Sequence, residues 1–316
     1  MTRVVLATAY GGPEVLTVAD RPVGDPGPGQ ARVEVRAAGV NPADWKSYTG
    51  AFGTDPAALP RRLGFEVSGV VTAVGPDVDL AVGDEVIGFR VSGGDAAELV
   101  VPATALVPKP ASLGWAQAAG LMLTGATAVH ALTATGVGQG DTVLVHGAAG
   151  GVGLMAVQLA ALRGARVIGT VGGDGADLVR RFGAEPVRYG DGLAGRVREL
   201  APGGVDAALD LVGSDEAVDV SLELVAARQR IATIAAFGRA AADGIRALGG
   251  GPGADPGTQL RDAARPELAE AAGAGGLEVV VAATFPLEDV AEAHRQGRAG
   301  HTHGKLVLVP QAVSPE

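Results

Sequence analysis

The 316-residue sequence contains no cysteine, which excludes disulfides, thiolate nucleophiles, iron–sulfur ligation and every zinc site built on cysteine. Aromatic residues make up only 3%, so Val, Leu and Ala must fill the core. Basic charge is also short: 25 Lys+Arg stand against 35 Asp+Glu, giving a formal charge of −10 and a pI of about 5.0. No large positive field is therefore available to hold nucleic acid or an anionic membrane surface. The opening residues, from Met1-Thr2-Arg3-Val4 to Gly12-Pro13, carry no apolar run of signal-peptide or membrane-span length. A soluble cytoplasmic protein is expected.

Hydrophobic residues reach 47%, normal for a globular chain, while 50 Gly and 19 Pro stay below the level of low complexity. At roughly 100–200 residues per domain, the length suggests about two domains. The first third alternates short Val-bearing runs with Gly, Pro and Asp turns, as in Ala31 to Arg36 and Val67 to Val74, which reads as a compact β domain. From about residue 118, strands and helices alternate: strands at 142–146, 166–170, 205–209 and 229–234, helices at 152–163 and 176–182. That alternation implies a parallel sheet covered on both faces. The Gly- and Pro-rich segment 249–257 marks a boundary. A helix at 259–272, a strand at 277–282, a helix at 287–296 and a strand at 305–309 follow. They are too few for a domain and are expected to rejoin the N-terminal β part. The expected division is 1–117 with 252–316, and 118–251.

The strongest local signal is Asp141 to His146 followed by Gly147-Ala148-Ala149-Gly150-Gly151-Val152-Gly153 and an Ala/Leu-rich helix. A strand, a small-residue turn and a helix N-terminus let backbone N–H groups approach a pyrophosphate. The spacing is A-x-G-x-x-G, with Ala148 at the usual first glycine. Ala148 to Gly153 are therefore candidate dinucleotide ligands. About 20 residues on, where an NAD-preferring protein carries an acid for the ribose 2′-OH, stand Thr170-Val171-Gly172-Gly173. The missing carboxylate favours NADPH. Arg180, Arg181 and Arg188 are the candidate cations for its 2′-phosphate.

The runs Ala38 to Asp44, Leu63 to Val71, Val82 to Val86, Leu123 to Ala128, His146 to Gly153 and Gly304 to Leu308 resemble the medium-chain dehydrogenase/reductase superfamily, in its zinc-independent quinone oxidoreductase branch. The resemblance implies an α/β protein: a Rossmann doubly wound parallel sheet plus a GroES-like β-barrel catalytic domain closing on it. Zinc-dependent relatives place a Cys where Asn41 stands and a His where Phe65 stands, so no metal site is expected. The pair His301 and His303 lacks a third ligand.

By resemblance, Asn41 lies beside the nicotinamide, Thr124 on the nicotinamide side, Gly172 and Gly173 at the adenosine phosphate turn and Tyr189 near the 2′-phosphate. Val212 and Phe237 follow later strands as cofactor neighbours, and Lys305 joins the cofactor-binding set. Many relatives carry an Arg at Tyr48 and a Tyr at Phe52. Asn41, Lys46 and Tyr48 are the candidate catalytic residues, with Tyr48 or Lys46 as a donor to the substrate oxygen. The implied activity is NADPH-dependent hydride transfer to a quinone. The alternatives are an enoyl or 2-alkenal reductase and a non-enzymatic, crystallin-like NADPH-binding protein. The apolar segment 243–248 reads as an outer sheet strand open to a second copy, and a homodimer is expected.

Overall fold

The computed structural model describes residues 1–51 and 53–310; Phe52 lies outside them. The chain forms two compact units, Met1–Leu123 with the chain from Arg265 on, and Thr124–Ala264. The boundaries expected from sequence were 117/118 and 251/252.

The first unit is built on the eleven-residue strand Gln30–Val40, in which side chains alternate between buried and partly exposed until its last four, all buried. It pairs antiparallel with Glu66–Val74, Glu98–Pro102 and the C-terminal Lys305–Val309. The seven-stranded sheet continues through Glu85–Phe89 to Leu106–Pro108 on one side and Val281–Pro286 on the other. A second sheet of Leu16–Arg21, Thr2–Ala7 and Arg61–Arg62 accompanies it. Val33, Val35, Val67, Val71 and Leu99 fill the core, each contributing about 1.5–3 kcal/mol by burial.

The second unit holds a six-stranded parallel sheet in the order Ala184–Arg188, Arg166–Val171, Thr142–His146, Ala207–Asp210, Ile231–Thr233, Arg246–Ala247. This is the doubly wound order, and it reverses between the third and fourth of these strands, where such sheets bind ligands at their carboxyl ends. The central strands are continuous apolar runs because both faces are covered.

Three elements differ from the sequence reading. Strand 229–234 shortens to Ile231–Thr233 after a 3-10 turn at Arg228–Arg230. The strand expected at 277–282 forms at Val281–Pro286. Segment 243–248 yields only Arg246–Ala247: helix Phe237–Asp243 ends at left-handed Gly244, and Ile245 is buried, its N–H on the Ala240 carbonyl. The outer edge is partly taken, because the Asp255 N–H donates to the Ala247 carbonyl and the Gly249 N–H to the Asp255 carbonyl. No helix among the described residues is long and apolar enough to cross a membrane.

Candidate cofactor and active site

In the second unit the turn after Thr142–His146 is held by its neighbours. The Gly147 N–H donates to Thr170 Oγ1 (3.1 Å) and the Ala148 N–H to the Thr170 carbonyl (3.1 Å). Gly147 adopts φ +74, a left-handed conformation suited to glycine. Ala148 replaces the usual first glycine without penalty because its methyl packs over Gly169, where a Cβ would stand 2.7 Å from it. Helix Gly151–Leu162 begins directly after Gly150, so the first-turn N–H groups of Gly151, Val152 and Gly153 are those a pyrophosphate would meet. Across the sheet, Gly172 and Gly173 follow the Arg166–Val171 strand; the atoms nearest to an added Cβ on Gly172 are Asp174 Oδ1 at 3.5 Å and the Tyr189 hydroxyl at 3.6 Å, and none lies within 4 Å of one on Gly173.

Two large apolar side chains stand exposed at carboxyl ends of this sheet, Tyr189 at 49% and Val212 at 55%. Buried Asp210 holds the Val212 loop: Oδ1 accepts from the Val212 and Gly213 N–H groups, and Oδ2 from the Thr233 hydroxyl (2.6 Å). Phe237 lies with its ring against Gly251, and Thr124 is buried. Open glycines, a helix N-terminus and exposed apolar flanks suit a dinucleotide.

His146, the last residue before the turn, is buried. Its Nε2 lies 3.1 Å from Ser221 Oγ, whose own proton goes to the Ala217 carbonyl, so the imidazole is neutral and donates. Burial lowers its pKa from 6.5 to about 4. The folded state thus binds fewer protons than the unfolded chain between those values, so this stabilisation is present above pH 6.5 and lost as pH falls toward 4. At about 1.4 kcal/mol per decade, its full value is roughly 3 kcal/mol. Denaturant titrations are expected to show His146→Gln gaining on the wild type by up to that amount between pH 7 and pH 4; a constant difference would contradict it.

In the first unit, Asn41 caps helix Pro42–Tyr48 and is 1% exposed. Its backbone N–H donates to Asp44 Oδ2 (2.7 Å), and its Nδ2 donates to the Gly39 carbonyl and to Glu66 Oε1, both at 3.0 Å. Lys305 Nζ completes the cluster, donating to Asn41 Oδ1, Glu66 Oε1 (2.8 Å) and the Val40 carbonyl (3.0 Å). Glu66 Oε2 accepts from the Leu123 N–H (2.8 Å). Glu66 can approach because residue 39 is glycine; a Cβ there would stand 2.5 Å from Oε1.

Behind this cluster lie two more buried acids. Burial raises Asp44 to about 7 against the opposing hydrogen bond from the Asn41 N–H, and burial pushes Asp95 well above the carboxylate range. Lys305 draws both downward. Neither Asp95 oxygen has a hydrogen-bond partner among the described residues.

Two expected site residues, Tyr48 of the catalytic set and Lys305 of the cofactor-binding set, lie inside the first unit. Tyr48 is fully buried, its hydroxyl 2.9 Å from His294 Nδ1 and its ring stacked on that imidazole, so it belongs to the core rather than to a substrate surface. Lys305 is 4% exposed and bound by three oxygens of its own unit, which makes it a structural counter-ion. Lys46 is half-buried, with its pKa lowered by burial. Sequence reasoning gave no role to Glu66, Asp95 or His294; a carboxylate within the apolar run Leu63 to Val71 was the available signal for the first. No group of three or more metal-ligating side chains occurs among the described residues.

Comparison with known proteins agrees with this arrangement. Residues 27–111 match the alcohol dehydrogenase GroES-like domain family and residues 175–308 the zinc-binding dehydrogenase family. The chain is 36% identical to a quinone oxidoreductase of Pseudomonas aeruginosa, over 98% of this chain and 100% of that one. It is 38% identical to a 2-haloacrylate reductase of a Burkholderia species, covering 96% and 97%. The solved structure of the Escherichia coli quinone oxidoreductase complexed with NADPH superposes with a TM-score of 0.86 at 28% identity, covering 98% and 100%.

Proposed function

The chain belongs to the zinc-independent quinone oxidoreductase branch of the medium-chain dehydrogenase/reductase superfamily, and from that membership we propose that it is an NADPH-dependent reductase of quinones. The observation that carries the cofactor reading is the turn Val171-Gly172-Gly173, where glycines stand at the strand end in place of a carboxylate for the ribose 2′-OH and the first acid, Asp174, follows within the turn. NADPH supplies the hydride, and a quinone accepts it with a proton to give the hydroquinone and NADP⁺. The protein's part is orientation and stabilisation of negative charge on the acceptor oxygen. The free N–H groups of Gly151, Val152 and Gly153 would hold the pyrophosphate, with Val212 flanking the nucleotide and Tyr189 beside the adenosine. Asn41 is fixed by Glu66 and Lys305 in one orientation, with its Oδ1 and Nδ2 directions set. Lys46 is the remaining candidate cation of the Asn41 helix.

Reduction of an activated alkene uses the same hydride chemistry, and the likeness to a 2-haloacrylate reductase supports it as the second reading. Oxidation of NADPH is followed at 340 nm with 1,4-benzoquinone and an α,β-unsaturated ketone in parallel, NADH serving as cofactor control. Faster turnover of benzoquinone with NADPH supports the first reading, and faster turnover of the enone the second. Binding of NADPH without turnover of either favours the binding-only role.

The proposed assembly is a cytoplasmic homodimer joined at the short Arg246–Ala247 edge strand. Light scattering should then give twice the 31.3 kDa chain mass; a monomer at micromolar concentration would refute it.

A further inference from the structure

The glycine turn raises a question of charge: the 2′-phosphate of NADPH needs a cation, and the turn itself offers Asp174. Among the sequence candidates, Arg180 is paired with Asp177 (2.6 Å) and Arg181 lies over the Phe182 ring (4.6 Å). Arg188 differs. It ends the strand Ala184–Arg188, opposite Val171 in the register, so it stands beside the residue that enters the Gly172-Gly173 turn. Its side chain is exposed, and no hydrogen bond or ion pair engages it among the described residues.

The loop that follows Arg188 is held from both sides. Arg196, on helix Leu193–Leu200, donates to three successive-turn carbonyls: Arg188 (2.8 Å), Gly190 (2.8 Å) and Asp191 (2.7 Å). Glu216, on helix Asp215–Leu224, accepts the Gly190 N–H with both oxygens, at 2.9 and 3.2 Å. Gly190 and Gly192 take the positive φ values this tight path requires, +99 and +80. Between the clamped carbonyls, Tyr189 projects its hydroxyl to 3.6 Å from the place where a Cβ on Gly172 would stand. A flexible loop would lose much of its binding energy in being ordered; a clamped one is already in place. Arg196 has its donors committed to backbone and is not itself the phosphate ligand.

We propose that Arg188 is the cation that receives the 2′-phosphate of NADPH, and that Arg196 and Glu216 are positioning residues that hold Arg188 and Tyr189 against the Gly172-Gly173 turn. The assignment rests on the NADPH reading given above. Arg188 supplies a planar pair of donors to the phosphate, Tyr189 covers the nucleotide beside it, and Asp174 opposes the charge. Selectivity for NADPH over NADH is thereby set by one exposed arginine against one exposed carboxylate.

Fluorescence titration with NADPH and NADH, in the full-length protein, tests this. Arg188→Ala should raise the Kd for NADPH by about tenfold to a hundredfold while leaving that for NADH within about twofold. Arg188→Lys should keep part of the preference. With the phosphate pair gone, NADPH binding should also become less sensitive to salt. The loss of activity should fall mainly on the KM for NADPH. Asp174→Asn should shift the preference further toward NADPH. Arg196→Lys should behave as a weakened Arg188 variant, since one ammonium cannot span three carbonyls. NADH affinity reports in each case that the fold is intact. Equal weakening of both nucleotides in Arg188→Ala, or no change in either, would overturn the assignment while leaving the NADPH reading standing. A wild-type protein that binds neither nucleotide would overturn both.

Discussion

Replacing Lys305 by methionine is expected to cost about 3–5 kcal/mol of stability and most of the activity, the largest effect of any single substitution considered. The lysine is buried and, among the described residues, its ammonium is the only cation bonded to the Glu66 carboxylate, which is itself wholly buried. Removing one member of a buried pair leaves the other uncompensated, and that residual charge, more than the lost attraction, sets the penalty. The same ammonium draws down Asp44 and Asp95, so its removal lets burial push both acids further up. The double variant Lys305→Met, Glu66→Gln should recover much of the stability, because it removes the orphaned charge along with the cation. Urea denaturation of the two variants decides the matter: equal destabilisation of both would show that Lys305 acts through packing alone. Activity should not return with stability, since Asn41 would have lost the donor that fixes its Oδ1.

The second large effect is expected at Gly153. A Cβ there would stand 2.2 Å from the Gly147 carbonyl oxygen and 2.7 Å from the Ala148 carbonyl carbon, both backbone atoms that cannot rotate away. Gly153→Ala must therefore displace the helix start relative to the turn. Since a misplacement of about 1 Å can cost a hundredfold, NADPH affinity should fall by about that factor. Gly150→Ala is the control within the same motif, because its added methyl would lie 3.4 Å from the nearest atom, the Gly147 carbonyl oxygen. Its folded stability should stay close to that of the wild type. Similar losses in the two variants would mean that the turn tolerates or rejects side chains for a reason other than the helix approach.

The parallel sheet was readable because its central strands are unbroken apolar runs between glycine turns, and the nucleotide turn because its parts are contiguous. The buried polar cluster was not. Asn41 and Glu66 are 25 residues apart, and Lys305 is 239 residues from Glu66, so no local pattern unites them. Each carries a faint mark, a charge or amide opening or interrupting an apolar run. The burial of Tyr48 is hidden for the same reason: its partner His294 lies 246 residues away, and an aromatic near a domain edge gives no sign of which way it faces. The segment 243–248 looked like a strand because Ile245 and Leu248 are apolar. Both are buried, but Ile245 turns inward from a helix end rather than from an extended run.

The placement of the Lys305–Val309 strand, inserted between Gln30–Val40 and Val281–Pro286, also sets an order of events during synthesis. The nucleotide-binding unit is complete once residue 264 has left the ribosome, and chains fold by units from the N-terminus as they emerge. The first unit must wait, although most of it is made earlier, because the strand that closes its sheet and carries the cation for Glu66 is made only after the second unit is complete. A nascent chain stalled before residue 305 therefore holds a finished Rossmann unit beside an open sheet with two unsatisfied strand edges. In that interval the protein is most exposed to chaperones, proteases and its own neighbours on the polysome.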